Sequence, residues 1–340
     1  MHDLTRVYAA ELSTGLEAAD RQDALARVLS WYRVTLSAGS GNGMVARGAP
    51  IEAPHSDVPP VVFLDQRDQL RWCGAEWQTI AALVGAAHRE GQHGPAWHLT
   101  CLLFDYFYAA GQPLEWLDLL RVAMRSAEAQ GNHRARAMLL NHCSVAYSRL
   151  GQHETAVRQL DLGLDLLVGP EDWQHRISLL SSMASTLRES KRYEAARAPA
   201  REALGLARKE GIDYYLAATH DVLCALNAET GRWEEALQDG VPGLEYARRS
   251  RSRIMEASLL VNLGLARHGL RQRDAAEGSF AEALRISQDA GDRYHEGLAL
   301  FGLARVGAGT DLARRALARF EELDAEEAAE VRAFLAGLSL

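Results

Sequence analysis

Small and apolar positions recur along this chain every 40 residues. Ala156, Ala196, Ala236 and Ala276 fall at that interval, and each is followed eight residues later by a leucine, at Leu164, Leu204, Leu244 and Leu284. The residue before each leucine is small: Gly163, Ala203, Gly243 and Ala283. Antiparallel helices approach closely only where the crossing side chains are small, so this alternation reads as a packing code between two helices. Turn signals keep the same beat. Gly91, Gly131, Gly211 and Gly291 are separated by multiples of 40, Gly111, Gly151 and Gly231 lie 20 residues out of phase, and Glu171, Lys191, Arg251 and Arg271 fill the remaining slots. Glycine just past a helix end supplies the left-handed conformation that stops the helix. Each unit is predicted as two helices and two turns.

Units are expected near 97–130, 137–170, 177–210, 217–250 and 257–290, with a shortened one at 295–320. Trp116 occupies the small-residue slot of the first, which marks that unit as degenerate, as terminal repeats commonly are. From Leu140 to Leu164 the chain resembles a tetratricopeptide repeat, with Tyr147, Gly151, Ala156 and Leu164 at that motif's aromatic, turn, small and leucine positions. Leu263, Gly264 and Phe280 match a later copy. The usual period is about 34 residues, so six extra residues lengthen each unit. The resemblance implies an all-α, right-handed superhelical solenoid of tetratricopeptide-type helix pairs with a 40-residue period. A final helix, with Val331, Phe334, Leu335 and Leu338 on one stripe and Glu326, Glu327 and Glu330 turned away, reads as a cap.

Before the repeats, residues 3–15 and 21–37 read as amphipathic helices. A Gly- and Pro-rich stretch from Gly39 to Pro60 has no helical period and reads as a linker. The expected organisation is N-terminal helices over 1–38, a flexible linker over 39–64, a leading helix over 65–90, repeats over 91–320 and a capping helix over 321–340. Met1-His2-Asp3-Leu4-Thr5-Arg6-Val7-Tyr8-Ala9 resembles the "MHDL-x-R-x-YA" stretch that follows the nucleotide-binding and winged-helix modules of STAND-class regulators, including the SARP-type actinobacterial transcriptional regulators. That family next shows a helix ending in a Trp-Tyr pair, here Trp31-Tyr32, and then an acidic "W-x-x-x-E" helix, here Trp72 to Trp77. The DNA-binding module, the phosphate loop and most of the winged helix are missing from this sequence. The chain therefore looks like a C-terminal piece or truncated relative of a larger regulator.

Composition narrows the chemistry. Hydrophobic residues make up 48% and charged residues 24% of the 340 positions, a globular composition, and no stretch approaches a membrane span. No signal pattern opens the chain, so a cytoplasmic location is expected. A net charge of −8 argues against direct nucleic-acid binding. Arg248-Arg249-Ser250-Arg251-Ser252-Arg253 reads as a solvated turn. The four cysteines, Cys73, Cys101, Cys143 and Cys224, lack metal spacing and read as free buried thiols. His88, His93 and His98 recur every five residues, with Gly91, Gly94 and Pro95 breaking any helix between them, so they do not share a helical face. Glu234-Glu235 and Glu321-Glu322 read as exposed turns and first helical turns. The reading is of a non-enzyme, with no catalytic residue, metal or cofactor.

In tetratricopeptide stacks the first helix of each unit lines a concave groove. Carried over residue by residue, the resemblance places His98, Asp105 and Tyr108 in the first unit, and Asn141, Val145 and Arg149 in the second. Ser181, Ser185 and Arg188 follow, then Asp221 and Ala225, then Asn262. Such mixed polar groups can pair with an extended peptide backbone. The expected function is a ligand-sensing or protein-interaction domain of a larger transcriptional regulator, binding a peptide, small molecule or partner protein. The alternative is a scaffold for self-association, a homo-oligomer, or for adaptor binding.

Overall fold

The computed structural model describes residues 17–39, 56–323 and 325–337, so the helix expected over 3–15 lies outside the described residues. Those residues form sixteen α-helices and no strand. The helices are α1 Ala18–Gly39, α2 Gln66–Arg89, α3 His93–Leu102, α4 Phe104–Ala110, α5 Pro113–Ala129, α6 His133–Arg149, α7 His153–Asp165, α8 Trp173–Glu189, α9 Tyr193–Glu210, α10 Asp213–Glu229, α11 Trp233–Arg249, α12 Arg253–Gly269, α13 Arg273–Ala290, α14 Arg293–Leu303, α15 Thr310–Glu322 and α16 Glu327–Gly337. The units begin at His93, His133, Trp173, Asp213, Arg253 and Arg293, a strict 40-residue beat that starts a turn of helix earlier than the sequence suggests in most units.

The turns follow the slots. Seven glycines, from Gly91 to Gly291, have φ between 64° and 73°, and Lys191, Arg251 and Arg271 adopt the same left-handed conformation at 59°, 56° and 61°. Glu171 does not. There α7 ends early at Asp165, and a short 3₁₀ turn over Pro170–Asp172 leads into α8. Asp172, buried, accepts from the Gly169 amide at 2.9 Å and from Arg134 Nε at 2.6 Å, so a side chain does the work of the missing left-handed residue.

The packing code holds. Ala156, Ala196, Ala236 and Ala276 are fully buried, as are Ala203 and Ala283. In the first unit Trp116 takes that slot, buried against Phe107 with stacked rings 5.9 Å apart. The facing inner helix is broken there into α3 and α4 at Leu103, because an indole needs room that a methyl group does not. Gly94 and Pro95 break nothing: they sit in the first turn of α3, where proline's missing N–H has no helical partner to lose.

At the head, α1 packs on α3 while α2 packs on α3 and α5, so the two extend the stack as an additional inner and outer helix. The Trp-Tyr pair and the "W-x-x-x-E" helix hold each other. Tyr32 Oη donates to Glu76 Oε2 at 2.7 Å, and the rings of Trp31 and Tyr32 both lie within 6.3 Å of Trp72. The end of the expected linker is laid along α1, where Trp31 Nε1 donates to the Pro59 carbonyl at 3.0 Å. At the tail, Val331 of α16 is fully buried, but Glu327 is not turned away: it accepts from Tyr294 Oη at 2.5 Å.

The arginine run is not a freely solvated turn. Arg249 holds Asp213 through two bonds of 2.6 and 2.9 Å, while Arg248 and Arg253 share Glu256. Glu321 and Glu322 close α15 rather than open a helix, and they pair with Arg332 and with Arg319.

Candidate ligand groove

Each inner helix packs against the inner helix of the next unit, through α3, α6, α8, α10, α12 and α14, and together they form a concave wall. The stack curls until its ends meet. Carbons of Arg67, at the start of α2, lie 3.7–3.9 Å from where a Cβ on Gly291 would stand, between α13 and α14. The groove thus lines a channel inside that curl. Across it the Tyr108 phenol bears on Tyr294, and Asp221 bears on His295.

The expected groove residues fall into three groups. His98 is outside the channel: α1 covers it, it is 3% exposed, and Arg33 Nε donates to its Nδ1 at 2.9 Å. Burial, with Arg33 second, pushes its pKa down to about 3, so the ring is neutral and serves as an acceptor. Asp105 is half-buried on α4, close enough to Cys73 of α2 to help burial push that thiol up to about 12. The other three cysteines are free too, with Cys143 half-buried rather than sealed in the core.

A second group is paired within the wall. Asp221 on α10 accepts from Ser258 Oγ at 2.8 and 3.0 Å and from Asn262 Nδ2 at 3.0 Å, both on α12. Burial still pushes its carboxyl up, because the enclosing protein costs the charge more than these donors return. Arg188 is ion-paired with Glu229. On α14, His295 Nδ1 lies 2.6 Å from Asp292 Oδ2. Burial alone would lower that imidazole, but Asp292 and Asp221 together hold it up.

The third group is not hydrogen-bonded within the wall. Arg149 lies over the Tyr108 ring, 4.3 Å from its centroid. Asn141 Oδ1 and Ser181 Oγ are buried without a hydrogen-bond partner, and Ser185 sits one turn beyond Ser181, half-buried. Glu189 is exposed to the channel, and burial by the surrounding walls pushes its carboxyl up.

Ser258, Glu229, Glu189, Tyr294, His295 and Glu327 were absent from the sequence expectation. Their signal is the repeat itself: Ser258 and Asn262 lie 37 and 41 residues from Asp221, and Glu229 lies 41 from Arg188, next-unit neighbours at the 40-residue beat. A separate depression of about 560 Å³ between α15 and α16, rimmed by Glu321, Glu326 and Arg332, contains none of the groove residues. Among the described residues, no group of three or more His, Cys, Asp or Glu side chains is arranged to hold a metal ion.

No family model matches the chain. No curated protein sequence matches it either. Solved structures do. The apo form of RapI is similar at a TM-score of 0.55 and 15% identity, over 66% of this chain and 83% of that one. A Rap protein complexed with Competence and Sporulation Factor is similar at 0.54 and 15%, over 76% and 78%. The third is a STAND protein (Signal Transduction ATPase with Numerous Domains) with a tetratricopeptide repeat sensor, from Pyrococcus horikoshii. It is similar at 0.55 and 13%, over 78% of this chain and 41% of that one. The shared property is the fold: this chain is a tetratricopeptide-type helical solenoid. Among the described residues, no helix is long and apolar enough to cross a membrane.

Proposed function

We propose that this chain is the non-catalytic, ligand-sensing repeat region of a larger cytoplasmic transcriptional regulator of the STAND, SARP-like type. The observation that carries this reading is the pair of buried, unpartnered polar atoms, Asn141 Oδ1 and Ser181 Oγ, at equivalent places 40 residues apart on neighbouring inner helices. Buried polar atoms are ordinarily hydrogen-bonded; both are closed to solvent here, so a peptide or small molecule that parts α6 and α8 on binding would satisfy them. Two similarities support it. A Rap protein of this fold is complexed with Competence and Sporulation Factor, and a STAND protein carries a sensor of this fold. The head motifs, whose residues bond to one another across α1 and α2, support the regulator context.

A thermal-shift screen of short peptides and metabolites tests the binding. A ligand at a hundred times its Kd adds about 2.7 kcal/mol of stability. Hits that shift the wild type and shift Asn141→Ala and Ser181→Ala less support the channel, whereas equal shifts in all three place binding elsewhere. Reading the coding sequence upstream of Met1 tests the regulator context: a phosphate loop and winged helix are expected there.

A further inference from the structure

Helix α16 is lightly attached to the stack. Of its 11 residues only Ala328 and Val331 are buried, and Phe334 rests half-buried on Phe301 of α14, ring centroids 5.5 Å apart. A helix this short is not stable by itself, so packing must hold it. That packing leaves a gap, the depression of about 560 Å³ between α15 and α16, lined by Phe320, Ala325, Ala328 and Ala329. The ion pairs of α16 among the described residues, Arg332 with Glu321 and Glu330 with Arg305, are exposed and contribute little.

Its first turn reaches the channel. Glu327 accepts from Tyr294 Oη of α14 at 2.5 Å, and Glu189 of α8 faces Glu327 from the opposite wall. Glu189 has no hydrogen bond or ion pair among the described residues. The charged and titratable groups around it are Arg188 beside it, itself bonded to Glu229 of α10, then His153 of α7, Arg149 of α6 and Glu327 of α16. When α16 leaves, the three basic groups stay and only the like charge departs. Docking therefore sets two carboxylates against each other, at a site where burial already pushes the Glu189 carboxyl up. Protonating Glu189 removes the opposition. The docked state holds that proton more tightly, so α16 seats more firmly as pH falls from neutral toward the ordinary carboxylate range, and loosens as pH rises.

We infer that α16 is a lid on the channel. It docks through Glu327 on Tyr294, moves on the gap beside α15, and is kept from seating firmly by Glu189 opposite. Only what the lid admits rests on the reading of the channel as a binding site. The motion itself does not.

Hydrogen exchange of the full chain, read by mass spectrometry, tests the lid without any ligand. Rates are divided by those of the unstructured sequence at each pH, and melts confirm that every variant is folded. At neutral pH, α16 is expected to exchange about tenfold or more faster than α14, which is packed on both sides. Glu189→Gln slows α16 about threefold and leaves α14 unchanged, since one like charge is removed through partly screened water. In a Glu327→Gln background the same substitution has no effect, because the coupling belongs to the pair. Acidification to pH 5.5 slows α16 in the wild type and less in Glu189→Gln. Protection of α16 equal to that of α14 overturns the lid. An α16 unmoved or loosened by Glu189→Gln, or slowed equally in the Glu327→Gln background, overturns the part given to Glu189. A ligand screen that fails leaves these rates untouched, so the lid and the binding site fall separately.

Discussion

Gly243 puts the packing code to its sharpest test, because helix propensity and packing predict opposite signs there. The residue lies within α11, where glycine costs about 0.8–1.0 kcal/mol relative to alanine, so Gly243→Ala should stabilise on local grounds. A Cβ at that position would stand 2.8 Å from His220 Cβ and 3.0 Å from Leu259 Cδ2. Neither neighbour can yield easily. The His220 atom is fixed to the backbone of α10 and Leu259 is fully buried, so α11 must move off α10 and α12. Overpacking of this kind costs about 1–3 kcal/mol. The net expectation is a loss of about 1 kcal/mol. Gly205 and Gly278, on the exposed faces of α9 and α13, meet nothing within 4 Å, and alanine there gains about 0.5–1 kcal/mol. Thermal melts and urea midpoints of the three single variants read out the signs. In a chain of this length the shifts amount to about 1–3 °C. If Gly243→Ala rises with the other two, the small-residue code does not govern helix approach in this solenoid.

Other expectations follow from buried polar and aromatic groups. Burial, then Arg33, pushes His98 down to about 3, and burial pushes His175 down to about 4. The unfolded chain, with histidines near 6.5, binds more protons in between, so stability is full above about 6.5 and falls with pH by about 2 kcal/mol per histidine at pH 5. His295, held up by its carboxylates, contributes stability that is lost as pH rises through its folded pKa, so it does not distort the range below 6.5. Urea midpoints at pH 7 and 5 measure the net fall, to which the raised carboxyls of Asp221 and Glu189 contribute with the opposite sign, and His98→Gln should reduce it by about 2 kcal/mol. Trp116→Ala empties the most crowded site of the first unit and should cost about 3–5 kcal/mol in urea melts, although alanine is the residue that fills the equivalent positions 156, 196, 236 and 276. Tyr294→Phe removes the bond that holds Glu327, and faster amide exchange confined to α16 is expected.

The turns were legible because stopping a helix is a local event. A left-handed residue suffices, and even Lys191, Arg251 and Arg271 were found from their slot alone. Glu171 was misread because its turn is built by Asp172, a side chain reaching back to Gly169 and across to Arg134, 38 residues away. His98 was misread for the same kind of reason. Its position in the repeat matches a groove slot, but α1 arrives from 65 residues upstream and roofs it. The groove residues were legible as a set and illegible as individuals. Asn141, Ser181 and Asp221 occupy equivalent positions at successive multiples of 40, yet only Asp221 meets partners in the next unit. Opposite Ser181 the following helix offers only Ala218 and Val222; opposite Asn141 it offers Ser178, whose hydroxyl donates to the Gln174 carbonyl instead, and no single unit's sequence contains that information.

This unevenness bears on how binding could be sensed. Asp221 to Ser258 and Asn262 and Arg248 to Glu256 and Glu282 stitch one later unit to the next, while Arg249 to Asp213 and Arg319 to Glu296 close single units. The joint between α6–α7 and α8–α9 is built differently, with α7 cut short and an irregular stretch leading to Asp172. The unpartnered Asn141 Oδ1 and Ser181 Oγ belong to the two inner helices of that joint. A ligand held by both helices gains contacts that depend on the angle between these two units, and differential affinity of that kind is what a population shift requires. A ligand seated against α10 and α12 would meet a wall that is already bonded to itself and has little freedom to change.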